Sequence, residues 1–71
     1  MMNAIQTQPL PRVPARLLRD RDPEARALGG WYVEFETASQ HASTDYCHSP
    51  HAALLNGLAL AWRLGVAIEV Q

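Results

Sequence analysis

The sequence predicts a small two-layer α+β domain, in which one helix covers one face of a three-stranded sheet. Segments 31–37 and 66–70 alternate apolar with polar residues, the period of a half-buried strand. Segment 50–64 is rich in Ala and Leu and has the start and stop signals of a helix. The sheet is expected to be antiparallel, or mixed if its second and third strands run parallel. A Pro/Arg-rich arm containing short helix precedes it.

The length and composition allow one domain with a modest core. The chain has 71 residues, enough for one domain at most, and 48% of them are hydrophobic, too many for a disordered chain. A core of this size rarely supplies more than about 3–5 kcal/mol of stability. We therefore expect dimerisation or the binding of a partner to supplement it.

Prolines at positions 9, 11 and 14 mark the first fourteen residues. Each proline fixes φ and disfavours helix at the residue before it. We therefore predict an extended Pro-rich arm over residues 1–14, followed by a single α+β domain over residues 15–71.

Residues 15–28 contain many good helix formers and predict a helical segment. Asp22 and Pro23 form a helix start signal, a capping residue followed by proline at the first helical position. We expect a short turn near 15–20 and a second at about 23–28, or one kinked helix.

The clearest strand is segment 31–37, where aromatic and β-branched residues alternate with polar ones. Its core face carries Trp31, Val33 and Phe35, and its solvent face carries Tyr32, Glu34 and Glu36. The polar segment 38–49 is expected to be a loop, within which 43–47 could return as a second strand.

Segment 50–64 is the expected covering helix. Ser49 and Pro50 repeat the start signal, and Gly65 supplies a C-terminal cap. Four large apolar residues share helical spacing: Leu54, Leu55, Leu58 and Trp62.

A rival interpretation takes Asn56 and Gly57 as the turn of a hairpin. Ala and Leu favour the helix instead, and a glycine inside it indicates close contact with the sheet at that point. Trp31 and Trp62 lie on the apolar side of their elements, so both are expected in the core.

The simplest assembly places strand 31–37 in the centre of the sheet, with the last strand antiparallel to it. Strand 66–70 is then an edge, and little except Glu69 and its short length protects that edge. An unprotected edge is a site for a homodimer or a docked partner.

Several classes of protein are disfavoured by the sequence. A single cysteine, Cys47, cannot form an internal disulfide. The first ten residues lack the features of a signal peptide, and the longest apolar stretch is too short and broken to span a membrane. A cytoplasmic location is therefore expected. The absence of lysine is typical of GC-rich bacterial or phage coding sequences.

The three histidines and the cysteine fall close together in the sequence, as His41, Cys47, His48 and His51. They are candidate zinc ligands, although structural zinc sites usually contain more cysteine. With Asp45 they could also form a thiol nucleophile and its base. A chain this short leaves little room for a closed pocket, so we expect no enzymatic activity and no cofactor other than zinc.

The charges divide unevenly along the chain. Residues 1–28 carry five Arg against three acids, a balance of +2, whereas residues 29–71 carry one Arg against four acids, a balance of −3. On a helix, Arg12, Arg16 and Arg19 would share a rough face that could grip a nucleic-acid backbone. The acids interleaved with them argue against a strongly basic patch.

The leading hypothesis is therefore a small non-enzymatic interaction module, a regulator or inhibitor of bacterial or phage origin that occludes a partner protein complex. A nucleic-acid-binding regulator and a zinc-stabilised fold are the alternatives. The candidate partner-binding residues are Arg12, Arg16, Arg19, Tyr32, Glu34, Glu36 and Tyr46. A homodimer through an edge strand is also possible, and no membrane partner is expected.

Overall fold

Four strands and two helices form the fold of residues 9–71, which are the residues that this computed structural model describes. In chain order they are β1 (Arg12–Arg19), α1 (Pro23–Ala27), β2 (Trp31–Glu36), β3 (His41–Ser43), α2 (Pro50–Arg63) and β4 (Ala67–Val70). The predicted α+β class, with one open sheet and a covering helix, is confirmed. None of the helices in these residues is both long and apolar enough to cross a membrane.

The sheet has the strand order β3-β2-β1-β4 and is mixed. Strand β2 pairs antiparallel with β1 and with β3, whereas β4 pairs parallel with β1. The prediction of a three-stranded antiparallel sheet was therefore wrong, because an additional strand, β1, separates β2 from β4. Strand β4 is still an edge, as predicted.

Strand β1 corrects the prediction of helix near residues 15–20. The residues that favour helix locally are held extended by pairing with β2, from Ala15 opposite Phe35 to Arg19 opposite Trp31. Pairing with distant residues overrides a weak local propensity. Pro14 is tolerated in this inner strand because the pairing with β2 begins only at Ala15, so its missing N–H breaks no bond there.

The predicted arm over residues 1–14 is only partly described. Residues 1–8 lie outside the described residues, and the strand begins at Arg12. The last three residues assigned to the arm therefore belong to the sheet.

Both helix start signals operate as expected. The Asp22 carboxylate accepts hydrogen bonds from the backbone N–H groups of Glu24 and Ala25, and Pro23 opens α1. The Ser49 hydroxyl accepts from the N–H of Ala52, and Pro50 opens α2. Helix α2 is continuous through residues 56 and 57, so the rival hairpin does not form.

The second strand expected at 43–47 is displaced toward the turn. Strand β3 covers His41–Ser43, and Cys47 makes only an isolated bridge with Trp31. Between them, the Thr44 hydroxyl accepts a hydrogen bond from the N–H of Val33 at 3.0 Å. A side chain thus replaces a regular backbone partner at this point of β2.

The core between α2 and the sheet is built mainly from small residues. Ala15, Ala53 and Ala61 are buried together with Val33, and Phe35 beside them is 3% exposed. A Cβ atom at Gly57 would lie 3.0 Å from the Cβ of Val33. Since Cβ atoms rarely approach this closely, a side chain at residue 57 would force Val33 or the helix to shift by a few tenths of an ångström. The close contact predicted for Gly57 is therefore present.

We expect Gly57→Ala to destabilise the fold by about 1 kcal/mol. Alanine gains about 1 kcal/mol of helix propensity, but the added methyl group overpacks against Val33 at a cost of about 1–3 kcal/mol. Urea unfolding of the single variants and of Gly57→Ala/Val33→Ala gives the coupling energy. In the Val33→Ala background the same change should be neutral or stabilising. A higher stability of Gly57→Ala alone would contradict this account of the packing.

Candidate interaction surfaces

One face of the sheet packs against α2, and the other collects charged and aromatic side chains. Because Ala15, Val33 and Phe35 are buried beneath the helix, their neighbours along each strand point to the opposite face. We call this opposite side the open sheet face, and its residues include Arg12, Arg16, Tyr32, Glu34 and Glu36. Pairing of β1 with β2 thus brings together candidates that are widely separated in sequence.

Two ion pairs lie on the open sheet face. The guanidinium of Arg12 lies 3.3 Å from the Glu69 carboxylate, and that of Arg16 lies 3.8 Å from the Glu34 carboxylate. Three of these four side chains are mostly exposed, so each pair contributes at most about 1 kcal/mol. These pairs neutralise charge across neighbouring strands.

Tyr46 extends the open sheet face beyond β2. Its ring meets that of Tyr32 edge to face, with centroids 5.6 Å apart. Its hydroxyl donates a hydrogen bond to the carboxylate of Asp20. This bond lowers the pKa of Asp20 below its ordinary value and, as the largest cause, raises the pKa of Tyr46 to about 12.

Arg19 does not join the other predicted partner-binding residues. It lies opposite Trp31 in the pairing of β1 with β2, and its guanidinium sits over the Trp31 ring, 5.3 Å from the centroid. In a strand, residues 12 and 16 share a face while residue 19 points to the other. The single arginine face expected of a helix is therefore absent from this part of the chain.

These contacts do not favour the nucleic-acid alternative. Arg12 and Arg16 each face a carboxylate, and Arg19 covers an aromatic ring while its Nε donates to the carbonyl of Gly29. Domains that bind nucleic acid usually present a strongly basic patch. The three candidate arginines do not form one among the described residues.

The predicted zinc ligands do not converge. Within residues 9–71, no group of three or more His, Cys, Asp or Glu side chains is placed to hold a metal ion. His41, His48 and His51 are exposed, whereas Cys47 is buried. The Cys47 Sγ atom accepts a hydrogen bond from the Asn56 side chain at 3.1 Å, which ties the loop before α2 to the helix.

A second surface, which the sequence analysis did not identify as a binding site, lies along α2 and β4. Leu55, Leu58 and Trp62 are 55%, 54% and 75% exposed, so the expectation that Trp62 is buried in the core was wrong. Leu58 and Trp62 line an apolar groove together with Leu10 and Ile68. We call this region the α2–β4 surface, defined by Leu10, Leu55, Leu58, Trp62, Ile68 and Val70.

Helical geometry explains why this surface was missed. The residues of α2 that are buried against the sheet are Ala53, Gly57 and Ala61, at intervals of four. Trp62 and Leu55 are more than a quarter turn away from that stripe. Their helical spacing from Leu54 therefore wrongly predicted that they point toward the core. Gly57 was the sequence signal for this surface. The glycine predicted to touch the sheet also determines which face of α2 points toward the sheet.

We expect Tyr46→Phe to raise the pKa of Asp20 toward its ordinary value, because the variant lacks the hydroxyl donor. The pKa can be followed by NMR titration of the Asp20 carboxyl carbon. In the wild type, stability from this bond is present above about pH 4 and is lost as the pH falls through the lowered pKa. The variant should show a weaker pH dependence, since the Asp22 N–H still donates to the Asp20 carboxylate.

Tyr32→Phe is the matched control, since it alters the same aromatic pair but leaves the Tyr46 hydroxyl in place. Its Asp20 pKa should remain at the wild-type value. Equal titration curves for Tyr46→Phe and the wild type would show that the hydrogen bond does not set this pKa.

Comparisons with known proteins identify no relative of this chain. No protein-family model, no curated protein and no solved structure matches the chain. The surfaces formed by its own residues are therefore the basis for the proposal about its function.

Proposed function

We propose that this chain is a small non-enzymatic protein-interaction module that binds a partner protein through its α2–β4 surface and occludes the surface it covers. The observation that carries the proposal is Trp62, which is 75% exposed beside two leucines that are each more than half exposed. Single exposed apolar residues are ordinary, but contiguous ones beside an open groove are typical of interaction sites.

The chemistry of this surface suits protein recognition. Tryptophan is enriched among the residues that dominate binding energy at protein interfaces, where truncation typically costs about 2 kcal/mol or more. Leu58 and Ile68 form adjacent apolar walls of the groove. A partner that places an apolar side chain in the groove would cover Leu58, Trp62 and Ile68 at once.

The position of β4 adds a second means of contact. Among residues 9–71 it pairs only with β1 and is an edge of the sheet. An edge strand offers unpaired backbone groups to an extended segment of a partner. The favoured partner is therefore a protein with an exposed strand and an apolar patch next to it.

The same residues contribute little to the fold of the chain alone. Leu55, Leu58 and Trp62 project away from the buried stripe of α2, and the core cluster is formed by other residues. Replacing them should therefore leave the folded structure intact. This separates binding from stability in an experiment.

We expect Leu58→Ser/Trp62→Ser to weaken partner binding by about thirtyfold or more, the equivalent of about 2 kcal/mol. The tagged full chain and the variant are compared by quantitative mass spectrometry after capture from a lysate of the source organism. The affinity for a captured protein is then measured with purified components. Circular dichroism verifies that both proteins are folded.

The matched control is Ala59→Ser/Arg63→Gln, on another exposed flank of α2. The proposal requires a protein that the wild type and this control retain and that Leu58→Ser/Trp62→Ser loses. Retention by all three proteins would contradict the assignment of the surface. Capture that disappears on nuclease treatment would instead favour binding to nucleic acid.

A further inference from the structure

We infer that the occupant of the α2–β4 surface is a second copy of this chain, related by a two-fold axis and paired through β4. The inference rests on the proposed function, since it names the partner of the same surface. It follows from the hydrogen-bonding pattern of β4, the width of the sheet beneath α2 and the placement of the exposed apolar residues.

In the sheet formed by the described residues, the edge of β4 away from β1 presents the backbone groups of two residues. The N–H of Ala67 donates to the carbonyl of Pro11, and the N–H of Gln71 donates to the carbonyl of Ala15, both at 2.9 Å. Along a strand, the N–H and C=O of successive residues alternate between the two sides. The backbone groups of Ile68 and Val70 therefore point away from β1.

This edge is complementary to itself. In an antiparallel pair centred on Glu69, Ile68 of each copy lies opposite Val70 of the other, and the two pairs exchange four hydrogen bonds. A two-fold axis generates both pairs at once, as in other isologous dimers. The two Glu69 carboxylates then face each other across the axis, where the guanidinium of Arg12, 3.3 Å from Glu69, offsets their repulsion.

The spacing of the helices accounts for the large exposed side chains. Helix α2 packs across β2, β1 and β4. Through Gly57 each helix rests on β2, and in the merged sheet the two β2 strands would be five strand spacings apart, about 24 Å. Directly packed helices lie about 8–10 Å apart, so a gap of about 14–16 Å would remain between the two α2 helices. Trp62 and Leu58 lie on the flank that faces this gap.

The apolar surface is also large enough to matter for a dimer. A stable interface buries on the order of 1,200 Å² or more in total. An aromatic side chain can bury on the order of 200 Å², so the two Trp62 side chains, each 75% exposed, supply roughly 300 Å². Leu10, Leu58 and Val70 are 36%, 54% and 40% exposed and add further apolar area on each copy.

We expect the mass of the full chain measured by sedimentation to rise with concentration from 7.9 kDa toward twice that value. Val70→Pro should weaken the dimer at least tenfold, because it removes the outward N–H and leaves the pairing of β4 with β1 intact. Val70→Thr is the matched control, since it keeps both the N–H and the branched side chain. It should dimerise nearly as tightly as the wild type.

A monomeric mass for the wild type at all concentrations would overturn the inference. So would a dimer that Val70→Pro and Leu58→Ser/Trp62→Ser leave unchanged, because its interface would lie elsewhere. A monomer that captures a different protein in a Trp62-dependent manner would overturn the self-association and leave the proposed function standing. A monomer without such a partner would overturn both.

Discussion

The contact between Gly57 and Val33 determines where the other side chains of α2 point. With no side chain at residue 57, the helix backbone rests directly on β2, and Ala53 and Ala61 are carried down with it. At about 100° per residue, Leu58 is turned about 100° from Gly57, and Trp62 about 140°. Both side chains therefore point away from the part of the sheet that the helix covers. The exposed flank is therefore a geometric consequence of the close contact.

The same contact holds α2 close to β2, so the core between them is thin at this point. Ala53 and Ala61 of α2 face the sheet there with small side chains, while the larger Leu58 and Trp62 remain outside. Full burial of a large apolar side chain contributes about 1.5–3 kcal/mol, whereas an isolated core of this size supplies about 3–5 kcal/mol. Covering the α2–β4 surface would thus add an amount comparable to the stability of the chain itself. A molecule that binds this surface of the folded chain would therefore also stabilise the fold.

The elements that could be predicted from sequence have strong local signals. Asp22 with Pro23 and Ser49 with Pro50 mark helix starts whose capping bonds need only neighbouring residues. Strand β1 has no such signal, because its residues favour helix locally and are held extended by β2. That one error also misplaced the arginines, since a strand separates Arg19 from Arg16 where a helix would have kept them together.

The candidate binding surface could not be predicted for a related reason. In the predicted sheet, α2 covers three strands, with β4 directly beside β2. Insertion of β1 widens the sheet to four strands, about 14 Å between the axes of its outer strands, whereas a helix with its side chains is about 10 Å wide. A single helix seated on β2 through Gly57 therefore leaves the β4 side of this sheet incompletely covered. Trp62, which sequence reasoning placed in the core, lies at that side together with Leu58, and within residues 9–71 both side chains are more than half exposed.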